Sequence, residues 1–282
     1  MLPLAIDTVL FQLGPFHIYA YGFMLSVGYG AGIILALREA RRRDFPVNLV
    51  LDYLVSVFIA GLLTARFFFV LTELPYFLAF PEDLLNIGNG LSPFGAVLGF
   101  GLVTFWYIHQ YRWDYRVLAD ILAAPLALGL AITSVGTSCL GRMTSVPWGI
   151  HWDGDIYHPL GAYQAVGSYI TFILVWSLRR KARFPGQMGL VALFFLGLTQ
   201  LVTGFFAAET LFFNSRQLQG LLAVVLALVM VRGKKITAAD QDYMEHYRAL
   251  GPSKAPWYRR MVSWLWGLLL LLVVYFWRAR SI

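Results

Sequence analysis

The chain has 282 residues, of which 59% are hydrophobic and 13% charged, with 22 Lys and Arg against 15 Asp and Glu and a net charge of +7. Mean hydropathy is +0.66, and so low a charged fraction excludes an ordinary water-soluble globular domain, where about 25% is usual. A single cysteine, Cys139, excludes an internal disulfide and a Cys-rich metal site.

Apolar runs near the ~20 residues that cross a bilayer as helix fall at 17–37, 49–71, 93–111, 117–137, 162–178, 188–208, 217–231 and 261–277. They are too long for barrel strands and lack a two-residue alternation, so the backbone must be satisfied within helices. The expected fold is an all-α integral membrane protein, a bundle of seven spans with an extra C-terminal hydrophobic helix. Residues 1–14 carry no basic leader and no small-residue cleavage site, so the first span is expected to be retained.

Basic clusters follow the first span (Arg41, Arg42, Arg43), the third (Arg112, Arg116), the fifth (Arg179, Arg180, Lys181) and the seventh (Arg232, Lys234), whereas alternate loops carry Glu73, Asp153 and Asp155. Lys and Arg accumulate on the cytoplasmic side, which places the N-terminus outside. The same clustering beside span ends assigns the positive charge to anionic lipid and not to nucleic acid. Three segments are expected: a membrane domain over 1–235, a polar cytoplasmic or interfacial linker over 236–260, and the terminal helix over 261–282. Within the linker, TAADQDYMEHYRAL reads as a short helix capped by Thr237. Arginines flank the terminal helix at both ends, so charge does not decide whether it crosses or lies in the inner leaflet.

Four stretches hold more polarity or glycine than a passive span needs. HIYAYGFMLSVGYG (17–30) brings Tyr21 into a glycine-rich helix, either for close packing or for substrate contact. LLTARFFFVLTEL (62–74) places Arg66 at membrane depth, where a charge calls for an anionic lipid head group or an internal carboxylate. GNGLSPFGAVLG (88–99) contains Gly90, Ser92 and Gly95 and cannot begin as a stable spanning helix, so protein or a water-filled cavity must cover it. The fourth, 133–164, reads as an outer loop containing Arg142, His151, His158 and Tyr163, in which arginine and histidine suit phosphate binding and histidine suits general-base work.

In order and spacing these stretches resemble the prolipoprotein diacylglyceryl transferase family, seven-span bacterial enzymes that move a diacylglyceryl group from phosphatidylglycerol to a cysteine thiol of a lipoprotein precursor. The resemblance rests on AYGFML (20–25), TARFFFVL with Arg66, NGLSPFGAVLG, DILAAPLALGLAITSVG (120–136), GRMTSVPWG, YHPLGAYQ and RQLQGLLAV, and covers about residues 10 to 235. It implies a bacterial plasma (inner) membrane protein that binds phosphatidylglycerol or another anionic phospholipid through Arg66, Arg142, Tyr21, Gly90, Ser92 and Gly95. It further implies a cavity reaching Tyr163, Gln164 and Gln200, His158 assisting thiol deprotonation, a lipoprotein-precursor peptide as partner, and no metal or soluble cofactor.

The chain departs from the family pattern where chemistry is expected. Phe94 stands at a histidine position, and Thr133 to Thr137 replace a glycine-arginine-x-glycine-asparagine element. Gln200 replaces an arginine, Gly204 a glutamate, and Gln164 the glutamate that follows tyrosine. These losses leave open a second expectation, a catalytically inactive paralogue that acts as a lipid-binding or structural subunit beside other membrane proteins.

Overall fold

A computed structural model describes residues 9–13, 16–81, 84, 90–137, 139–207, 215–234, 236–249 and 257–279. Gly88 and Asn89 of the glycine-rich stretch lie outside the described residues. The chain divides into two compact units, one of residues 37–118 and one of residues 1–36 with 119–282.

A hairpin of β1 (Val9–Leu13) and β2 (Phe16–Tyr19) leads into α1 (Ala20–Arg42), and α2 (Val47–Thr72), α3 (Leu74–Ala79), α4 (Pro93–Tyr111) and α5 (Tyr115–Val135) follow. Strands β3 (Leu140–Met143), β4 (Ile150–Trp152) and β5 (Asp155–Pro159) precede α6 (Leu160–Leu178), α7 (Gln187–Phe205), α8 (Ser215–Gly233), α9 (Ala238–Ala249) and α10 (Trp257–Ala279). The seven sequence-derived spans correspond to α1, α2, α4, α5, α6, α7 and α8. Five of these helices meet a strict criterion of length and apolarity for crossing a membrane. The remaining two, α4 and α6, are each 19 residues, about 28 Å at 1.5 Å per residue; His109 and Gln110 in one and Tyr163, Gln164 and Ser168 in the other dilute their apolarity. The first helix starts later and runs further than the apolar run at 17–37. Its last turn leaves the apolar stretch and is held by Glu39, which accepts from Arg43 Nε at 3.4 Å and pairs with Arg42.

In the unit of residues 37–118, α2 and α4 meet through small residues. A Cβ on Gly95 would lie 2.3 Å from the Thr64 carbonyl oxygen, and one on Gly99 2.8 Å from that of Ala60. The Thr64 hydroxyl contacts the carbonyl oxygens of both Ala60 and Gly95 at 2.7 Å, so a polar group at membrane depth is satisfied by backbone. Ser92 accepts from Gly95 N at 3.4 Å as the N-cap of α4, and its own N–H donates to Ala65 O. An aromatic cluster of Tyr53, Tyr107 and Trp113 closes the other end.

In the unit of residues 1–36 and 119–282, Gly28 of α1 faces Gly129 of α5, and Gly197 of α7 faces Gly220 of α8; Gly28, Gly197 and Gly220 have no room for a Cβ. Asp120 on α5, 3% exposed, accepts from Gly186 N at 2.9 Å and Gly189 N at 3.0 Å, capping α7 from a neighbouring helix. The segment expected to be an outer loop is instead a small sheet of order β3-β5-β4. Asp153 and Gly154 both adopt positive φ, 49° and 86°, which makes a two-residue hairpin turn suited to right-twisted strands.

Helix α9 docks on the membrane helices. Met244 (1% exposed) and Tyr247 (5%) join Leu35, Ala123, Val175 and Met188 in one apolar cluster. Thr237 and Asp240 cap each other, Asp240 N donating to Thr237 Oγ1 and Thr237 N to Asp240 Oδ2, while Lys234 Nζ lies 2.8 Å from the same carboxylate. The Lys234 ammonium, followed by the Thr237 donors, lowers the Asp240 carboxyl to about 2, from 3.8. A depressed carboxylate stabilises the fold above its unfolded value and loses that contribution as pH falls through the folded value. Protection of α9 from hydrogen exchange is therefore expected to fall between pH 4 and 2, and Lys234→Met should move the loss to higher pH.

Helix α10 runs antiparallel to α6. Tyr169 OH donates to Trp264 O at 3.1 Å, Gly267 packs on the Tyr169 ring, and eight residues further along Tyr275 packs on Gly161 and into a cluster with Leu140, Tyr157 and Ala162. Lying alongside a spanning helix over this length, α10 reaches the end of α6 from which the sheet emerges. A tag fused after Ile282 is expected to be labelled from the same side of the membrane as a cysteine at Asp155, in a Cys139→Ser background. Labelling from the opposite side would refute a crossing α10.

Candidate lipid site

Strand β5 passes directly into α6 through Pro159, which brings His158 and Tyr163 face to face across the junction. His158 Nδ1 lies 3.0 Å from Tyr163 OH, and Trp148 Nε1, from the turn before β4, donates to the same phenol oxygen at 3.0 Å. Phe206, at the C-cap of α7, packs against both rings with centroids 4.8 and 5.4 Å away. Partial desolvation lowers the His158 pKa from its ordinary 6.5, so the imidazole is neutral near pH 7.

These three polar side chains form the mouth of an apolar groove of about 700 Å³ between α6 and α7. On α6 it is lined by Val166, Gly167, Ile170 and Thr171, and on α7 by Leu198, Thr199, Val202 and Thr203, the two faces that a 3.6-residue period creates. Thr199 is packed on Gly167, where a Cβ would sit 2.4 Å from the Thr199 methyl. The hydroxyls of Thr171, Thr199 and Thr203 donate to carbonyls one turn back on their own helices, so the walls present methyl groups. Ile170, Leu198 and Val202 are exposed, and between two spanning helices that exposure is to lipid. The size lies within the range of small-molecule sites.

Of the residues singled out from sequence, His158 and Tyr163 meet at this mouth. Gln164 and Gln200 do not line the groove, because each is one residue, about 100°, beyond a position that does. Arg142 sits on β3; its N–H donates to Phe206 O and its Nε to Ala207 O at 2.9 Å, fastening the sheet to the end of α7. Tyr21 is exposed in the first turn of α1, with its backbone against Gly136. His151 is exposed on β4.

The other group lies in the unit of residues 37–118. Arg66 donates from Nε to Leu84 O at 3.1 Å and from Nη1 to Gly90 O at 3.0 Å, with its guanidinium over the Phe69 and Phe77 rings. Gly90 has φ 136° and lies against Phe69, so only glycine fits the approach to Ser92. Phe94 is 64% exposed and packs edge-on against Phe68. Thus Arg66, Gly90, Ser92 and Gly95 form one assembly, while Arg142, His158 and Tyr163 cluster around the end of α7. Trp148 was not singled out by sequence reasoning; the signal available was its place in GRMTSVPWG, 15 residues from the tyrosine it contacts.

A multi-pass helical membrane protein with a polar-mouthed apolar groove between two spans is the class that these features define. The family description prolipoprotein diacylglyceryl transferase matches residues 8–232, and the chain belongs to that family. It is similar to the phosphatidylglycerol–prolipoprotein diacylglyceryl transferase of Finegoldia magna, 24% identical over 246 residues that cover 83% of this chain and 99% of the relative. It is also similar to the enzymes of the same name from Clostridium tetani, 24% identical over 71% of this chain and 85% of the relative, and Bacillus cereus, 28% identical over 86% and 97%. The family match ends within the last turn of α8, so α9 and α10 lie beyond it.

Proposed function

We propose that this chain works in the bacterial plasma membrane, N-terminus outside, and moves the diacylglyceryl group of phosphatidylglycerol to the cysteine thiol of a lipoprotein precursor. The observation that carries the reading is the groove between α6 and α7, apolar along its length and polar at one end, which suits an acyl chain with its ester and head group at the mouth. In the transfer, a bond forms between sulfur and the terminal glyceryl carbon. The bond from that carbon to the phosphate oxygen breaks, its electron pair leaves with glycerol phosphate, and the thiol proton must be taken up. Arg142, beside the mouth, is the proposed head-group cation there, with Tyr21 in the same unit; Arg66, with Gly90, Ser92 and Gly95, is proposed to receive an anionic head group in the unit of residues 37–118. His158 is the group at the mouth capable of proton transfer, and no metal or soluble cofactor takes part.

A specific observation favours a second reading, in which the chain binds phospholipid without transferring it and serves as a subunit beside other membrane proteins. Both candidate arginines carry backbone carbonyls, and Ser134 and Gln200 stand where the family places arginine. A cation aimed at developing charge often contributes ~10²–10³ in rate, so the loss of two would leave a weak catalyst.

The test uses purified protein in phosphatidylglycerol-containing membranes with a lipobox peptide whose cysteine is free. Mass spectrometry is expected to find the diacylglyceryl thioether, and to lose it with Arg66→Ala. No product beside an active relative would leave the lipid-binding reading. Val202→Trp fills the groove from its lipid-exposed side and is expected to reduce co-purifying phospholipid several-fold while the thermal midpoint is retained; unchanged lipid content would remove the groove from the argument.

A further inference from the structure

Trp148, Tyr163 and His158 form a chain of hydrogen bonds whose direction follows from what each group can do. The indole N–H is a donor only, so Tyr163 accepts from Trp148 at 3.0 Å. The phenol hydrogen then needs an acceptor, and His158 Nδ1 stands 3.0 Å away. If Nδ1 carried the proton instead, indole and imidazole would both donate to one phenol oxygen, and the phenol hydrogen would have no acceptor among the described residues. With Nδ1 accepting, a neutral imidazole carries its proton on Nε2. Among the described residues no partner occupies Nε2, and His158 lines the groove.

We infer that Trp148 and Tyr163 are positioning residues that fix His158 in the Nε2–H tautomer, making it a hydrogen-bond donor to an acceptor oxygen of a phospholipid seated in the groove. The oxygen is either an ester carbonyl or a phosphodiester oxygen, since both lie where the acyl region meets the head group. This rests on the groove being the lipid site of the proposed function, and it gives His158 a recognition role through Nε2–H; the lone pair that could take a thiol proton is then the one on Nδ1, reached through the Tyr163 hydroxyl.

The test is nitrogen-15 NMR of histidine-labelled full-length protein in detergent, with the His158 signals assigned by His158→Gln. Ring nitrogens that carry a proton resonate far from those that do not. The expected result near pH 7.5 is a protonated Nε2 and an unprotonated Nδ1. Tyr163→Phe should lose that bias, and Trp148→Phe, which keeps the ring but removes the donor, should give a mixture of tautomers with the fold unchanged by circular dichroism.

Adding short-chain phosphatidylglycerol should shift the Nε2–H signal. A diether analogue without ester carbonyls that still shifts it assigns the phosphodiester oxygen, and a diacylglycerol without phosphate that shifts it assigns the ester. A protonated Nδ1 in the wild type, or an Nε2–H signal indifferent to all three lipids, overturns the inference. Transfer activity is read separately: a thioether product with the reversed tautomer would leave the transferase reading standing and refute this one. The expected tautomer and lipid response without product would do the reverse.

Discussion

Asp120→Ala is expected to lower the thermal midpoint of the purified protein by roughly 6–12 °C, the shift that about 3 kcal/mol produces in a chain of this size. The carboxylate is 3% exposed and accepts two backbone N–H bonds, from Gly186 and Gly189. Helix starts leave their first amides without intrahelical partners, and α7 begins at Gly186 with φ 92° and no side-chain cap of its own. A charge on the carboxylate also sits at the positive end of the α7 dipole. Each bond to a charged group contributes ~1.5–3 kcal/mol and its loss strands a buried donor, so two together at the lower end of that range give the figure above. Asp120→Asn keeps one acceptor oxygen and should show about half the shift. Hydrogen exchange should accelerate at residues 186–190 before it does in α8; uniform acceleration, or a midpoint within 2 °C of wild type, would show that α7 does not depend on this cap.

That cap illustrates which parts of the molecule the sequence made legible. The spans were readable because crossing a hydrocarbon layer demands one property, apolarity over about 20 residues, and the helices end within a few residues of the apolar runs. Gly95 and Gly99 stand four residues apart, a spacing at which small residues let two helices meet closely. Asp120 was visible only as part of a resemblance, because the groups it satisfies lie 66 and 69 residues away. Docking of α9 was hidden for a similar reason: TAADQDYMEHYRAL is polar on average, and its two buried anchors, Met244 and Tyr247, are ordinary in composition.

The sheet of residues 140–159 carried a signal that polarity masked, the Asp153-Gly154 pair between two short runs rich in aromatic and β-branched residues. At the candidate site, His158 and Tyr163 were within reach because they are five residues apart at a strand-to-helix junction. Trp148 belongs with them only because the hairpin folds back. For the arginines, sequence indicates charge at membrane depth for Arg66 and in an outer loop for Arg142, but not that Leu84, Gly90 and Ala207 present carbonyls to them. Irregular backbone near a membrane needs donors as much as a head group does.

Gly95→Val is expected to abolish assembly of α2 with α4 and with it the accumulation of folded protein in the membrane. A Cβ at residue 95 would stand 2.3 Å from the Thr64 carbonyl oxygen and 2.8 Å from the Ala65 Cα, so the obstruction is backbone and cannot rotate away. Overpacking in a filled interior costs ~1–3 kcal/mol where side chains can yield, and here the helices must separate. Separation also lengthens the 2.7 Å contact between the Thr64 hydroxyl and Gly95 O and the Ser92 N–H bond to Ala65 O, which seats the start of α4. In this unit Arg66 stands two residues from Thr64 and holds Gly90 O, so the approach to α4 should loosen with it.

Gly95→Ala should show a weaker form of the defect, and Gly99→Ala a comparable one through Ala60. Gly101 has nothing within 4 Å of its missing Cβ, and Gly101→Ala should be neutral or stabilise by about 0.5–1 kcal/mol, the gain of replacing glycine within a helix. The measurement is the yield of monodisperse protein extracted from membranes and its thermal midpoint across the series. If Gly95→Ala and Gly101→Ala proved indistinguishable, the close approach of α2 and α4 would not be what orders the glycine-rich stretch.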